Sequence, residues 1–77
     1  MKIQGLDFEN GELVIFADYI RSEHAGAGGC FQVVDIRLNE NSLLGKLNID
    51  QGHHYFSKNE IAKDLQVESN EITITEI

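Results

Sequence analysis

The 77-residue chain is predicted to fold as one α+β domain spanning residues 1–77, with a mostly antiparallel sheet of about five strands. One helix, near residues 58–66, is expected to pack on one face of that sheet. Short segments of alternating apolar and polar residues predict the strands, and an N-terminal capping pattern predicts the helix. No repeat, proline-rich stretch or linker divides the chain, and a chain of this length holds one core.

The dipeptide Asn10-Gly11 is the clearest turn signal near the start of the chain. Both residues tolerate the positive φ angles of a type I′ turn, and apolar residues flank them at 3–8 and 13–20. The sequence therefore predicts that the chain opens with a hairpin turning at Asn10-Gly11. The second arm is apolar on both alternating faces, which predicts a central strand at least partly covered on both sides.

Glycine and other small residues dominate the segment Arg21–Gly29. They raise backbone entropy and remove side chains that could pack, so a mobile loop is expected. The alternative is a single helical turn from Asp18 as N-cap to Gly26 as the residue after the helix.

A third strand is predicted over Cys30–Leu38, because its residues alternate between apolar and charged positions. The side chains expected to face inward are Gln32, Val34, Ile36 and Leu38. Asn39–Ser42 then supplies residues that accept left-handed turn geometry, and Leu43–Ile49 continues with apolar residues in phase. These segments predict a second hairpin, with Gly45 as a candidate bulge.

The helix is the best-specified element of the sequence. Ser57 and Glu60 have the spacing of a capping box, and Phe56 and Ile61 occupy the positions of a hydrophobic staple. A helix is therefore expected to begin at Lys58 and to run to about Gln66.

A final strand is predicted after this helix. Asn70 is a residue that can adopt the left-handed geometry with which the chain leaves a helix. The β-branched alternation of Glu71–Ile77 is typical of a strand. That strand lacks proline and lysine, so at a sheet edge it could pair with a second copy of the chain and form a homodimer.

Charge is the strongest functional signal, since thirteen Asp and Glu face six Lys and Arg and give a formal charge of −7. Such a surface disfavours direct binding to nucleic acid or an anionic membrane and favours a basic protein partner. The candidate acidic contacts are Glu60, Asp64, Glu68, Glu71, Glu76, Asp18 and Glu23. The candidate apolar anchors are Tyr19 and Tyr55, and the candidate contact loop comprises Gly26, Gly28 and Gly29.

The sequence gives little support for an enzymatic function. His53 and His54 are neighbours, so on an extended segment their rings point apart and cannot bind one metal together. His24 would be needed as a distant third ligand, and Cys30 follows glycines without a paired thiol. No metal, cofactor or catalytic residue is assigned, and the glycine segment has no phosphate-binding pattern.

Cysteine content and the N-terminus indicate a cytoplasmic protein. Cys30 alone cannot form an internal disulfide, and Met1–Gly5 opens no apolar run of signal-peptide length. The leading hypothesis is a small acidic interaction module, with an inhibitor of a basic nucleic-acid-processing or toxic protein as its most specific form. The alternative is a homo-oligomeric structural or accessory protein assembled through an edge strand, with any ligand site at the subunit interface.

Overall fold

Six strands, two α-helices and one 3-10 turn follow one another along the chain, and the computed structural model describes residues 1–77. In chain order they are β1 (Lys2–Ile3), β2 (Leu6–Asp7), β3 (Leu13–Asp18), α1 (Tyr19–His24), β4 (Gln32–Leu38), β5 (Asn41–Ser42), α2 (Lys58–Leu65), the 3-10 turn (Ser69–Glu71) and β6 (Ile72–Glu76). The predicted α+β class is confirmed, with one main helix. Neither α-helix has the length and hydrophobicity of a membrane-spanning segment.

The strands form two sheets, so the prediction of one antiparallel sheet of about five strands is only partly correct. β1 and β2 make a two-stranded hairpin, and the other four strands pair in the order β5-β4-β3-β6. β3 and β4 are antiparallel, whereas β3 and β6 are parallel. The parallel pairing follows from the connection, because α2 carries the chain back before β6 begins.

The first turn lies at Gln4-Gly5, and the predicted hairpin turn at Asn10-Gly11 is wrong. Gln4 and Gly5 have φ angles of 52° and 78° and join β1 to β2. Gly11 lies against Asn39 instead, and a Cβ atom there would displace the side-chain amide of Asn39. That amide donates a hydrogen bond to the Asn10 carbonyl at 3.1 Å.

The predicted central strand is β3, which lies between β4 and β6. Its residues alternate between buried and half-buried, so one face carries the core and the other is partly open. The open face carries Val14 and Phe16, and the Arg37 guanidinium lies 4.7 Å from the centre of the Phe16 ring.

The inward set predicted for β4 is only partly correct. Gln32, Ile36 and Leu38 are buried, but Val34 is exposed and Val33 is buried in its place. A bulge causes the change, because the pairing with β3 shifts between Phe16 and Ala17 and leaves Val34 without a partner residue. One extra residue moves the alternation to the opposite face.

The second hairpin is much shorter than predicted. Asn39 and Glu40 form its turn with φ angles of 50° and 71°. The returning strand is only β5, and no strand follows over the predicted Leu43–Ile49. Gly45 lies in a turn and not in a bulge.

The predicted start of α2 is confirmed, since Lys58 is its first residue. The Ser57 hydroxyl accepts the Glu60 N–H at 3.2 Å, which is half of the predicted capping box. The Glu60 carboxylate bonds to His53 Nε2 at 2.9 Å. The predicted staple is not formed as expected, because Phe56 is 69% exposed.

The C-terminal cap of α2 also differs from the prediction. Gln66 adopts the left-handed conformation, with φ 57°, and its N–H bonds to the carbonyls of Ala62 and Lys63. The predicted left-handed residue, Asn70, lies instead in the 3-10 turn. α2 buries an apolar face of Ile61, Ala62 and Leu65 in the core.

Candidate functional site

One end of the four-stranded sheet collects most of the exposed apolar side chains of the molecule. At this end β3 passes directly into α1, and Asp18 caps the helix by accepting the Arg21 N–H on Oδ1 at 2.9 Å. Asp18 has extended backbone geometry, as an N-cap requires. The helical alternative for this segment is therefore correct, and the predicted loop begins only after His24.

The end of β6 lies beside the start of α1. Glu76 pairs with Ala17, the residue before Asp18. The Ile77 N–H donates to the Ala17 carbonyl at 3.0 Å. Because the two strands are parallel, the last residues of β6 reach the same sheet end as Asp18.

The chain before α2 reaches this end as well. Phe31 and Tyr55 exchange two backbone hydrogen bonds of 2.8 Å each. The Ser22 hydroxyl, on α1, lies 2.7 Å from His54 Nδ1 in a hydrogen bond. His54, two residues before Phe56, is therefore held against α1, although 32 residues separate it from Ser22 in the sequence.

Three large apolar side chains are more than half exposed in this region. Their exposed fractions are 57% for Ile20, 69% for Phe56 and 55% for Ile77. We define the α1-end patch by these residues and the neighbouring carboxylates, as Asp18, Ile20, Glu23, Phe56, Glu76 and Ile77. A protein surface that combines clustered apolar side chains with a polar rim is typical of an interaction site.

Few of the carboxylates are neutralised locally. Of the thirteen, only Asp18 and Asp35 lie within 4.0 Å of an arginine nitrogen, and none lies that close to a lysine. The Arg21–Asp18 pair is long, at 3.8 Å, and the Arg21 side chain is 69% exposed. Water and salt screen such a pair, so the negative charge of the patch remains largely uncompensated.

The tightest ion pair lies on the open sheet face. Arg37 Nε donates to Asp35 Oδ2 at 2.7 Å, and the Ser42 hydroxyl donates to Asp35 Oδ1 at 2.7 Å. Burial raises the pKa of Asp35, but the hydrogen bonds from Ser42, Arg37 and the Ile36 N–H outweigh it and hold that pKa below 3.8. The Asp35 carboxylate is therefore occupied by hydrogen bonds within the fold.

Tyr55 cannot serve as the exposed anchor that the sequence suggested, because it is fully buried. Its hydroxyl donates to Asp64 Oδ2 at 2.7 Å. Burial raises the pKa of Tyr55 far above 10.0, and the hydrogen bond to Asp64 and the charges of Asp64, Asp50 and Glu60 add to the effect. Tyr19, the other predicted anchor, is half-buried with its ring 5.3 Å from the ring of Phe31.

The predicted acidic residues do not share one continuous face. Glu71 and Glu76 lie at opposite ends of β6, about 16 Å apart for an extended chain. Glu68 lies beside Glu71, whose carboxylate accepts the Glu68 N–H at 2.9 Å. Glu60 and Asp64 lie on α2, where they bond to His53 and Tyr55. Of the predicted set, Asp18, Glu23 and Glu76 belong to the α1-end patch.

The glycine loop closes as a hydrogen-bonded turn beside α1. The Ala27 N–H donates to the Ser22 carbonyl at 2.8 Å, and the Cys30 N–H donates to the Ala27 carbonyl at 3.0 Å. Positive φ angles at Gly26 and Gly29, of 84° and 86°, require glycine there. Gly26, Gly28 and Gly29 border open space, so this turn leaves room for a partner next to the patch.

The histidines and the cysteine are not assembled into a catalytic or metal centre. No three potential metal ligands converge anywhere in the chain. The Ser22–His54 pair resembles a nucleophile and base, but Ser22 is fully buried and inaccessible to a substrate. No surface depression is lined by a histidine or by Cys30.

Comparison with known protein families, characterised proteins and solved structures finds no match to this chain.

The apolar residues of this patch were not predicted from the sequence. The sequence pattern places Ile20 at the end of a predicted strand, Phe56 in the hydrophobic staple and Ile77 in the final strand. No local pattern joins residues 20, 56 and 77, because only the folded sheet brings them to one end.

Proposed function

We propose that this chain is a small acidic protein-binding module whose α1-end patch binds a partner with a basic surface. The observation that carries the proposal is that Ile20, Phe56 and Ile77, each more than half exposed, lie at one end of the sheet. The same end carries Asp18, Glu23 and Glu76, of which only Asp18 lies within 4.0 Å of an arginine or lysine nitrogen. Its most specific form is an inhibitor that covers the basic functional surface of a nucleic-acid-processing or toxic protein.

The two components of the patch have different tasks in such an interface. Apolar side chains at the centre of an interface lose water on binding and supply most of the affinity. Carboxylates at the rim attract a basic partner over several ångströms and accelerate association. A net charge of −7 on 77 residues strengthens that attraction.

The test is a parallel capture from native lysate with three immobilised proteins. They are the wild type, the double variant Ile20→Ser/Phe56→Ser, and Leu6→Ser as a matched control. Leu6 is also exposed, at 49%, but it lies on β2 in the separate hairpin. We expect a basic protein that the wild type and the control retain and that the double variant loses.

The retained partner is then titrated with the wild type at increasing NaCl concentration. An electrostatic rim requires the affinity to fall between low salt and about 0.5 M, where the Debye length shrinks to a few ångströms. Equal retention by all three proteins, or an affinity that does not change with salt, would contradict the proposal.

A second candidate function is self-assembly through β6. The edge position of this strand favours it, because β6 pairs only with β3 and carries no proline or lysine. Light scattering at increasing protein concentration tests this function directly. A monomer at millimolar concentration would rule it out.

A further inference from the structure

The outer edge of β6 presents unpaired backbone groups. The Ile77 N–H donates to Ala17 on β3. Because backbone groups alternate in direction along a strand, Thr73 and Thr75 also face β3, whereas Ile74 and Glu76 face away. The Ile72 N–H is bonded to the Ser69 carbonyl. The free groups are therefore the carbonyl of Ile72 and both the N–H and the carbonyl of Ile74 and Glu76.

No other edge of the sheet offers a comparable template. The opposite edge is β5, which has only two residues and ends in a turn. β6 has five residues, and Thr73, Thr75 and Glu76 are exposed. Charged or proline-containing edges prevent strand addition in most proteins, and β6 has no lysine or proline for that purpose.

A basic segment of another protein fits this edge better than a second copy of the chain does. An antiparallel pair centred on Ile74 would place Glu76 of each copy opposite Ile72 and close to Glu71 of the other. No lysine or arginine lies within residues 67–77 to neutralise these four carboxylates. Two chains of charge −7 also repel each other as whole molecules.

We propose that the β6 edge binds an extended, basic segment of a partner protein as an additional antiparallel strand. A small or β-branched residue of that segment lies opposite Ile74. Lysine or arginine two residues to either side lies opposite Glu76 and opposite Ile72, the neighbour of Glu71 in the chain. The backbone groups supply the pairing, and the two carboxylates select a basic sequence. The inference shares a basic partner and the Glu76 carboxylate with the proposed function, but it depends on the backbone groups of β6 instead of the side chains of Ile20 and Phe56.

The probe is the capped peptide Thr-Lys-Thr-Val-Thr-Lys-Thr, and the readout is amide hydrogen exchange followed by NMR. In the free protein we expect fast exchange at Ile74 and Glu76 and slower exchange at Thr73 and Thr75, which are bonded to β3. Saturating peptide should slow exchange at Ile74 and Glu76 by about tenfold or more, since these N–H groups gain a partner.

Two control peptides separate strand addition from simple charge attraction. N-methylation of the peptide amides that face β6 removes the hydrogen bonds and keeps the charge, so protection should be lost. Replacement of both lysines by glutamate keeps the backbone and reverses the charge, so binding should also be lost.

Protein variants test the role of the two carboxylates. Glu71→Gln/Glu76→Gln should weaken the peptide about three- to tenfold, as expected for two exposed ion pairs. Glu9→Gln/Glu40→Gln changes the net charge equally at a distance from β6 and should leave the affinity unchanged. Ile20→Ser/Phe56→Ser should also leave it unchanged, so a failure of this inference is distinguishable from a failure of the α1-end patch.

Three results would overturn the inference. The first is a lack of protection at Ile74 and Glu76 with millimolar peptide, and the second is equal binding of the N-methylated peptide. The third is protection of these two amides in the protein alone that increases with protein concentration, which would assign the edge to a second copy.

Discussion

The sheet of β3, β4 and β6 and the irregular segment 43–57 are held by different interactions. The sheet combines a backbone ladder with an apolar face, and its buried residues include Leu13, Ile15 and Ala17. The segment 43–57 contains no strand or helix. Turn bonds and the Phe31–Tyr55 bridge hold part of its backbone, and side-chain hydrogen bonds substitute for a ladder in the rest.

Glutamine side chains make most of these side-chain hydrogen bonds. The Gln4 amide accepts the Asn48 N–H at 2.7 Å and donates to the Asn48 carbonyl at 2.6 Å. Gln32 Nε2 donates to the Gly52 carbonyl at 2.9 Å, and Gln51 Nε2 donates to the carbonyls of Val33 and Val34 at 3.3 Å. A single polar substitution is therefore expected to loosen this segment locally, whereas the sheet is sensitive to lost volume.

The largest expected effect is in the sheet, at Ile15. This residue is fully buried between its partners Ile36 and Ile74, so Ile15→Ala removes apolar contacts and leaves a cavity. We expect a loss of about 3 kcal/mol in the free energy of unfolding, measured by urea denaturation. That is a large fraction of the roughly 4 to 12 kcal/mol available to a chain of this length.

Val14→Ala is the matched control for Ile15→Ala. Val14 is the preceding residue but faces the half-open side of the sheet. Its truncation should cost about 1 kcal/mol or less. Equal losses of stability for the two variants would show that both faces of β3 are packed equally. That result would contradict the difference in burial between the two faces.

The next largest loss of stability is expected at Tyr55, where the segment 43–57 meets the sheet. Tyr55→Phe removes the hydrogen bond to Asp64 and should cost about 1 to 2 kcal/mol at neutral pH. Because the pKa of Tyr55 is raised in the folded state, the unfolded chain loses this proton first. The wild type should therefore lose stability as the pH rises above about 10, by up to about 1.4 kcal/mol per pH unit.

Urea denaturation at several alkaline pH values checks the Tyr55 effect. Tyr55→Phe should have a flatter pH dependence than the wild type. Tyr19→Phe is the control, since the Tyr19 hydroxyl makes no side-chain hydrogen bond within the chain and the residue is only partly buried. An unchanged slope in Tyr55→Phe would contradict the assigned environment.

A smaller effect is expected for Gln4→Ala. The substitution leaves the Asn48 N–H and carbonyl without their partner, and water can replace it because these groups are exposed. We expect a loss of about 1 kcal/mol, with faster hydrogen exchange at Asn48 and unchanged exchange in β3. Gln51→Ala removes longer hydrogen bonds and should cause a smaller loss of stability. A uniform increase in hydrogen exchange over the whole chain would contradict the separate anchoring of residues 43–57.

The sequence predicts those elements whose signals are local. The capping residue Ser57 and the alternation of β3 and β6 lie within a few neighbouring residues, and the structure confirms these elements. The bulge in β4 is not local, because the pairing with β3 decides which residue is extra. Val34 was consequently assigned to the wrong face.

The candidate site was predictable only in its charge. Asp18, Glu23 and Glu76 could be proposed from composition, but their grouping with Ile20 and Phe56 depends on tertiary contacts. Tyr55 is the opposite case, a predicted contact residue that is buried. Its position two residues before the N-cap Ser57 does not indicate in the sequence whether its side chain is exposed or buried. Burial became visible only through its bridge to Phe31.

The smallest effect is expected at a turn that joins the two regions. Glu40 has a φ angle of 71°, which costs a non-glycine residue about 1 to 2 kcal/mol. Glu40→Gly removes this strain, but the added freedom of the unfolded chain offsets about 0.5 to 1 kcal/mol. We expect a net gain of about 0.5 kcal/mol in urea denaturation. Glu40→Gln removes the same charge without changing the backbone preference, so a variant Glu40→Gly less stable than Glu40→Gln would show that this turn is not strained.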